Sequence, residues 1–267
     1  MSMNIPRFTP EEVEKLKIAG RLAAQVLEMI EPHIKPGVST GEIDRLCHRY
    51  IEDELEAVSA TIGYHGYQHA TCISLNHVVC HGIPNFNKKI KKGDILNIDV
   101  TLIKDGFYGD TSRMYIVGEN IQGERLARVT QECLYQAIGI MKPGVRLSDI
   151  GKVIQQHAEQ NGYSVVRDYC GHGIGKEFHQ DPQVLHYDGY DTHTDAVLEE
   201  GMCLTVEPMV NVGGYATKVL KDGWTAVTRD KSLSAQWEHT LIISKDGVIV
   251  TTARQDEDFS ALPNVTC

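Results

Sequence analysis

The sequence predicts an α+β fold in which one unit, two helices followed by strands, occurs twice about a pseudo-twofold axis. Three observations predict it. Lys35-Pro36-Gly37-Val38 recurs as Lys142-Pro143-Gly144-Val145, an offset of 142 − 35 = 107 residues. At the same offset Ile43 meets Ile150, Leu46 meets Val153, Cys47 meets Ile154, Leu27 meets Leu134, Ile34 meets Met141, and His65-Gly66 falls on His172-Gly173. A second echo sets Gly93-x-x-Leu96-x-Ile98-Asp99 against Gly201-x-x-Leu204-x-Val206-Glu207, at 201 − 93 = 108. Matches in constant order with one residue of drift indicate duplication, over roughly 9–117 and 122–250. Helices grouped ahead of strands in each half argue for α+β rather than an alternating parallel sheet.

The first helix opens at Thr9-Pro10-Glu11-Glu12, a cap residue, a proline at the first helical position and a glutamate at the capping-box position. Val13, Leu16, Ala19, Ala23, Val26, Leu27 and Ile30 then keep helical spacing. A second helix opens at Ser39 with Glu42 as its capping partner and carries Ile43, Leu46, Cys47, Tyr50 and Ile51 along one side. Ile95 to Leu102 and Phe107 to Val117 read as strands flanking the hairpin turn Lys104-Asp105-Gly106. In the second half Met202 to Val210 and Gln236 to Ser244 read as strands, the latter ending in Lys245-Asp246-Gly247. With no Pro-, Ser- or Gln-rich linker, residues 1–267 are expected to form one continuous domain.

Composition excludes several classes. The 267 residues carry 26 Lys and Arg against 36 Asp and Glu, a net charge of −10, the wrong sign for a nucleic-acid or anionic-membrane binder. No apolar run is long enough to span a bilayer, and the N-terminal stretch lacks the apolar core of a secretory signal. Seven Cys without a C-x-x-C pair point to reduced thiols. The expected compartment is the cytoplasm.

Five residues carry candidate chemistry. Strand alternation puts Asn97, Asp99 and Thr101 on one face, and Asp110 follows on the return arm, 110 − 99 = 11 residues later. Glu207 and Glu238 lie inside the two strand patterns of the second half. His172 sits in Cys170-Gly171-His172-Gly173-Ile174-Gly175, where the glycines let the backbone approach whatever the imidazole binds. Taken singly, each has an alternative: Asp99 and Asp110 could face water, and Asp110 could cap a turn. As a repeat-related set, four carboxylates and an imidazole suit Mn, Fe(II), Co or Zn, and two ions would neutralise four crowded acids.

The segments Cys80-His81-Gly82-Ile83-Pro84, Asn97-Ile98-Asp99-Val100-Thr101, Gly109-Asp110-Thr111, Tyr169 to Gly175, Val206-Glu207-Pro208 and Ser234 to Thr240 resemble the methionine aminopeptidases, bacterial type I, over about Ile5 to Thr252. The resemblance implies a pita-bread fold with a curved antiparallel sheet. It also implies a dinuclear centre (Co, Mn, Fe(II), Zn or Ni) that removes the initiator methionine of nascent chains with a small second residue. Asp99, Asp110, His172, Glu207 and Glu238 match the metal ligands, with Asp110 and Glu238 bridging and Glu207 also shuttling the proton. His81 and His179 match the histidines that hold the substrate amide and stabilise the tetrahedral intermediate. Tyr64, Tyr67, Cys72, Phe178 and Trp224 match the methionine pocket, and Asn76, Val78 and Ser234 a Na or K site. Thr61 stands where a Cys is expected and His77 where an acid is common. A monomer is implied, with the ribosome as a candidate partner.

Two rivals remain. An X-Pro aminopeptidase or prolidase would usually carry a large domain ahead of Thr9, and a non-catalytic pita-bread binding protein should have lost ligands. Only 207 − 179 = 28 residues separate His179 from Glu207, too few for the helical insertion of a type II enzyme. His33, His48 and His157 are expected to be core or surface residues. His186, Asp188, Asp191, His193 and Asp195 are expected in a solvated loop, and Asp256-Glu257-Asp258 in a solvated tail.

Overall fold

The computed structural model describes residues 4–267. Helix α1 spans Pro10–Ile30 and α2 spans Thr40–Arg49. Both open on capping boxes: Thr9 accepts from the Glu12 N–H while Glu12 accepts from the Thr9 N–H, and Ser39 and Glu42 do the same. Helix α3 (Ile121–Ile140) opens on Asn120, and α4 spans Leu147–Gln160. The start of α2, shifted by the repeat offset, is 40 + 107 = 147, the start of α4.

The repeat marks turns as well as helices. Gly37 and Gly144 have φ of 93° and 92°, and Gly93 and Gly201 have φ of 91° and 87°. Each echo therefore preserves a left-handed backbone position that only glycine adopts without strain. The His65-Gly66 match is not of this kind. His65 lies in the short turn Tyr64–Gly66 with φ of 46°, whereas His172 lies in the strand Gly171–Gly173.

In the first half, strands Ile95–Lys104 and Phe107–Ile116 form a ten-pair hairpin closed by Asp105 and Gly106, both at positive φ. Thr71–Leu75 pairs with the other edge of Ile95–Lys104, which is thus interior. In the second half, Cys203–Val206 lies between Gly171–Gly173 and His239–Ile243. Pairing is antiparallel among the described strands except where Val265–Thr266 joins Val248–Val250. A bridge between Ser112 and Glu238 joins the halves.

Two strands predicted as continuous are broken. Met202 to Val210 divides into Cys203–Val206 and Met209–Asn211, and Gln236 to Ser244 into Ser234–Gln236 and His239–Ile243. Pro208 has no N–H for a ladder. Beyond each break the chain changes sheet, since Met209–Asn211 pairs with Ser234–Gln236 rather than continuing beside His239–Ile243. Glu207 and Glu238 sit at these two crossings.

The core has two main parts. Leu96, Ile98, Val100 and Leu102 pack under α1 and α2 with Leu16, Leu27, Ile30 and Ile43. Leu204, Val206, Leu241 and Ile243 pack under α3 and α4 with Leu134, Ile138, Ile150 and Ile154. Period-2 alternation then sends Asn97, Asp99 and Thr101 to the opposite face, toward the seam between the halves. Helix α1 lies so close to the hairpin that a Cβ on Gly109 would fall 2.4 Å from the Ala19 carbonyl oxygen. Gly109→Ala is therefore expected to destabilise by about 1–3 kcal/mol, read as a lower urea midpoint at unchanged m.

Two solvated segments were predicted, and each is partly internal. Asp188, Asp191 and His193 are exposed, but His186 is fully buried. Asp195 accepts from the Ser148 N–H and hydroxyl at 2.9 and 2.9 Å, tying the loop to the start of α4. In the tail, Asp256 and Asp258 are exposed while the Glu257 side chain is 3% exposed. Local composition could not show that Glu257 finds Arg254, His239 and Tyr135 waiting inside. No helix among the described residues is long and apolar enough to cross a membrane.

Candidate metal centre

The seam brings together side chains from both halves. Asp99 and Asp110 come from the hairpin, where Thr101 faces Asp110 across the ladder and donates to its Oδ1 at 2.8 Å. Asp99 Oδ1 is buried without a protein partner. From the second half, Glu207 Oε1 accepts from Thr205 at 2.9 Å and Oε2 from Gln236 at 3.1 Å. Glu238 is 1% exposed, and its N–H donates to the Ser112 carbonyl at 3.2 Å.

His172 is oriented by its own strand. Nδ1 lies 3.0 Å from the Gly173 carbonyl, so it carries the proton and leaves the Nε2 lone pair free. Nε2 stands 3.6 Å from Asp110 Oδ2 and 3.5 Å from Glu207 Oε1. The flanking glycines serve the sheet rather than a ligand. A Cβ on Gly171 would lie 2.4 Å from the Thr205 carbonyl oxygen, and one on Gly173 2.1 Å from that of Asp181.

Ligand atoms of Asp110, His172 and Glu238 lie within 4.8 Å of one another. Among the described residues no Lys or Arg pairs with any of the four acids; His172 is the sole basic partner. Burial, with Asp110 and Glu207 adding like charge, pushes Asp99 well above the carboxylate range. Glu238 rises well above it for the same reasons. Burial and Asp110 raise Glu207 to about 7 against the pull of His172. His172 rises although burial opposes it, because Asp110 and Glu207 outweigh that cost. Four buried acids cannot all ionise beside one imidazole, and divalent cations would supply the missing positive charge. The unpartnered Asp99 oxygen, the free Nε2 and an all-oxygen-and-nitrogen donor set fit such ions.

These acids open onto a cavity of about 370 Å³. All seven predicted substrate residues line it: Tyr64, Tyr67, Cys72, His81, Phe178, His179 and Trp224. Tyr67 meets Trp224 at 4.9 Å between ring centres, and Tyr64 meets Phe178 at 4.7 Å. Burial lowers His81 below the usual imidazole range. Burial and the neighbouring His172 take His179 down to about 4. His179 Nδ1 lies 2.7 Å from the Tyr64 hydroxyl.

Other residues at the site escaped the sequence reading. Thr205 and Gln236 each stand two positions from a predicted ligand, as Thr101 does from Asp99, so the alternation that placed Thr101 could have found them too. Tyr169 and Met209 also line the cavity, with no pattern to mark them. Thr61 is part of the wall, and its hydroxyl is taken by the His69 carbonyl at 2.7 Å. His77 exposes its side chain, while its carbonyl receives the Thr228 N–H at 3.0 Å. Asn76 and Ser234 are adjacent, the Ser234 N–H donating to the Asn76 carbonyl at 2.9 Å. Val78 lies in the strand Val78–Cys80, and Ser234 Oγ is buried without a partner.

A duplicated α+β fold with carboxylates and one imidazole converging at its seam defines a metallopeptidase class, and the family model described as Metallopeptidase family M24 matches residues 14–245. The chain is 58% identical to methionine aminopeptidase of Escherichia coli strain K12 over 261 residues, 97% of this chain and 98% of that one. The crystal structure of methionine aminopeptidase from Rickettsia prowazekii superposes with a TM-score of 0.90 at 50% identity, covering 93% of this chain and 100% of that one. That from Thermotoga maritima gives 0.90 at 43%, covering 94% and 100%. Prolidase from Pyrococcus furiosus, at 22% identity and a TM-score of 0.72, shares the fold, with 93% of this chain matching 66% of that one. The chain belongs to the methionine aminopeptidases of metallopeptidase family M24, and the fold is that family's pita-bread fold.

Proposed function

We propose that the chain hydrolyses the peptide bond after an N-terminal initiator methionine of nascent proteins, preferring a small second residue, and that two divalent ions are held by Asp99, Asp110, His172, Glu207 and Glu238. The observation that carries this reading is the apolar cavity ending on the acid cluster, with Tyr64, Tyr67, Cys72, Phe178 and Trp224 beside the four carboxylates. Bound there, the ions neutralise the acids, activate water and polarise the scissile carbonyl.

The chain's own groups do the rest. Aromatic walls and the Cys72 thiol take up an unbranched thioether side chain by shape and polarizability. Glu207, pinned by Thr205 and Gln236, takes the proton from the attacking water and returns it to the departing amine. His81 and His179 are held neutral by burial and so act as N–H donors to the peptide oxygen rather than as cations. The Tyr64 hydroxyl, donating to His179 Nδ1, leaves the imidazole proton on Nε2.

We further place the reaction in the cytoplasm, in one continuous catalytic domain acting as a monomer. Asn76, Val78 and Ser234 are the candidate Na or K ligands, supported by the unpartnered Ser234 hydroxyl. The test is hydrolysis of Met-Gly-Met-Met with Mn or Co, against Leu-Gly-Gly and a Met-Pro peptide, each with a chelator in parallel. The expected result is metal-dependent release of the first methionine alone. Folded protein that is silent with every metal would favour a binding role instead.

A further inference from the structure

Joined to the backbone of the acid cluster through Thr111, and absent from the cavity wall, lies a second buried polar assembly that the proposed chemistry does not use. Its charged members, Arg254, Glu257 and His239, have side chains 0%, 3% and 0% exposed. Glu257 Oε1 accepts from Arg254 Nη2 at 2.7 Å and from Tyr135 at 2.6 Å, and lies 3.1 Å from His239 Nε2. Burying such ions is costly, and hydrophobic replacements of similar volume are often as stable, so stability alone does not account for them.

The connections of this assembly lead to the two acids matched to bridging positions. Arg254 Nη1 donates to Thr111 Oγ1 at 3.1 Å, and Thr111 Oγ1 donates onward to the Glu238 carbonyl at 2.7 Å. Thr252 Oγ1 accepts the Thr240 N–H at 3.1 Å. Thr240 Oγ1 in turn donates to the Asp110 carbonyl at 2.7 Å and accepts the Asp110 N–H at 3.2 Å. Thr111 thus belongs to the first-half hairpin but holds the second-half acid, and Thr240 does the reverse. Thr111, Thr240 and Thr252 are all 0% exposed. Glu238 lies at a strand break, where a single bridge to Ser112 holds its N–H in place of a regular ladder, and the Thr111 hydroxyl holds its carbonyl.

We propose that Thr111 and Arg254 are positioning residues for the metal centre: Arg254, held by Glu257, orients the Thr111 hydroxyl onto the Glu238 carbonyl and so sets Glu238 against Asp110. The proposal rests on the metal-site reading above. Partners that orient metal ligands typically contribute 10–100-fold to metal affinity. Thr111→Val keeps shape and removes the hydroxyl; Thr111→Ser keeps the hydroxyl.

The experiment is calorimetric titration of the full-length protein with Mn, paired with kcat and KM on Met-Gly-Met-Met. Thr111→Val is expected to raise the Mn dissociation constant by about tenfold and to lower kcat, with KM within about twofold. Thr111→Ser should restore both. Arg254→Lys keeps the charge beside Glu257 but replaces the planar fork with a single ammonium; it is the second variant, expected to weaken Mn binding in the same direction, and it decides the matter if Thr111→Val does not fold. A folded Thr111→Val, or in its place Arg254→Lys, that binds Mn as the wild type does would overturn the proposal, even with a lowered melting temperature. A wild type that binds no Mn would instead overturn the metal-site reading itself.

Discussion

Glu207→Gln lowers kcat by about 10²–10⁴ at saturating metal while the fold survives. Glutamine has the same shape and still offers an oxygen to the Thr205 hydroxyl, which donates to Glu207 Oε1 at 2.9 Å. It cannot accept a proton from attacking water, and its amide nitrogen can donate to Gln236 Oε1, which now has no partner, once the Gln236 amide turns over. Stability of the metal-free protein at pH 8 should not fall and is expected to rise. Burial has pushed Glu207 up to about 7, so at pH 8 its ionisation costs the folded state free energy that a neutral amide does not. Thermal unfolding checks the second statement and steady-state kinetics the first. A variant within tenfold of wild-type kcat would remove Glu207 from the role of proton carrier.

The second large effect is on the stability of the protein stripped of divalent ions. Asp99 and Glu238 are raised well above their ordinary values of 3.8 and 4.5 by burial first and by the like charges of Asp110 and Glu207 second. A folded-state value above the unfolded one means that the native chain binds more protons, so stability falls as pH rises through that interval. Several histidines act oppositely: burial takes His186 to about 3 and His179 to about 4, so their contribution grows with pH and levels off only as the unfolded imidazoles, half neutral at 6.5, finish titrating. Glu257, held far below its ordinary range chiefly by His239 and Arg254 against its burial, contributes a constant amount above about pH 5.

The acids therefore dominate between pH 6.5 and 8, where the histidine contribution is levelling off. Each group protonated only in the folded state removes up to about 1.4 kcal/mol per pH unit there. Chelated protein is expected to be less stable at pH 8 than at pH 6.5. Mn or Co should restore more stability at pH 8 than at pH 6.5, because ions substitute for the protons the cluster otherwise keeps and bind deprotonated ligands better. Urea titrations at the two pH values, with chelator and with Mn, measure the difference. Metal-free stability that is flat or rising over this window would mean the acids are not crowded as described.

Much of this was legible in the sequence because duplication leaves marks where backbone geometry is unforgiving. The paired glycines at 37 and 144, and at 93 and 201, had to keep left-handed φ in both copies, so the repeat survived there after most side chains diverged. Asp99 and Asp110 were legible through alternation and hairpin pairing, since a single local rule places both. The strand breaks at Glu207 and Glu238 were not. Each depends on the chain leaving one sheet for another, a choice made by distant partners such as Ser112. Glu257 and His186 looked like surface residues for a related reason. An acid among acids reads as solvated until an arginine and a histidine are folded onto it, and His186 is buried beneath the Glu207 N–H that it accepts at 3.1 Å. The His65-Gly66 match shows the converse error, in which identical residues at the repeat spacing occupy a turn in one half and a strand in the other.

The central claim is that five side chains from two halves of the chain hold a pair of divalent ions at the end of an apolar pocket. Diffraction from crystals grown with Mn, recorded for its anomalous signal, tests this most directly. The account predicts two peaks enclosed by Asp99, Asp110, His172, Glu207 and Glu238. Peaks placed elsewhere, or none at this cluster in Mn-saturated crystals, would contradict it.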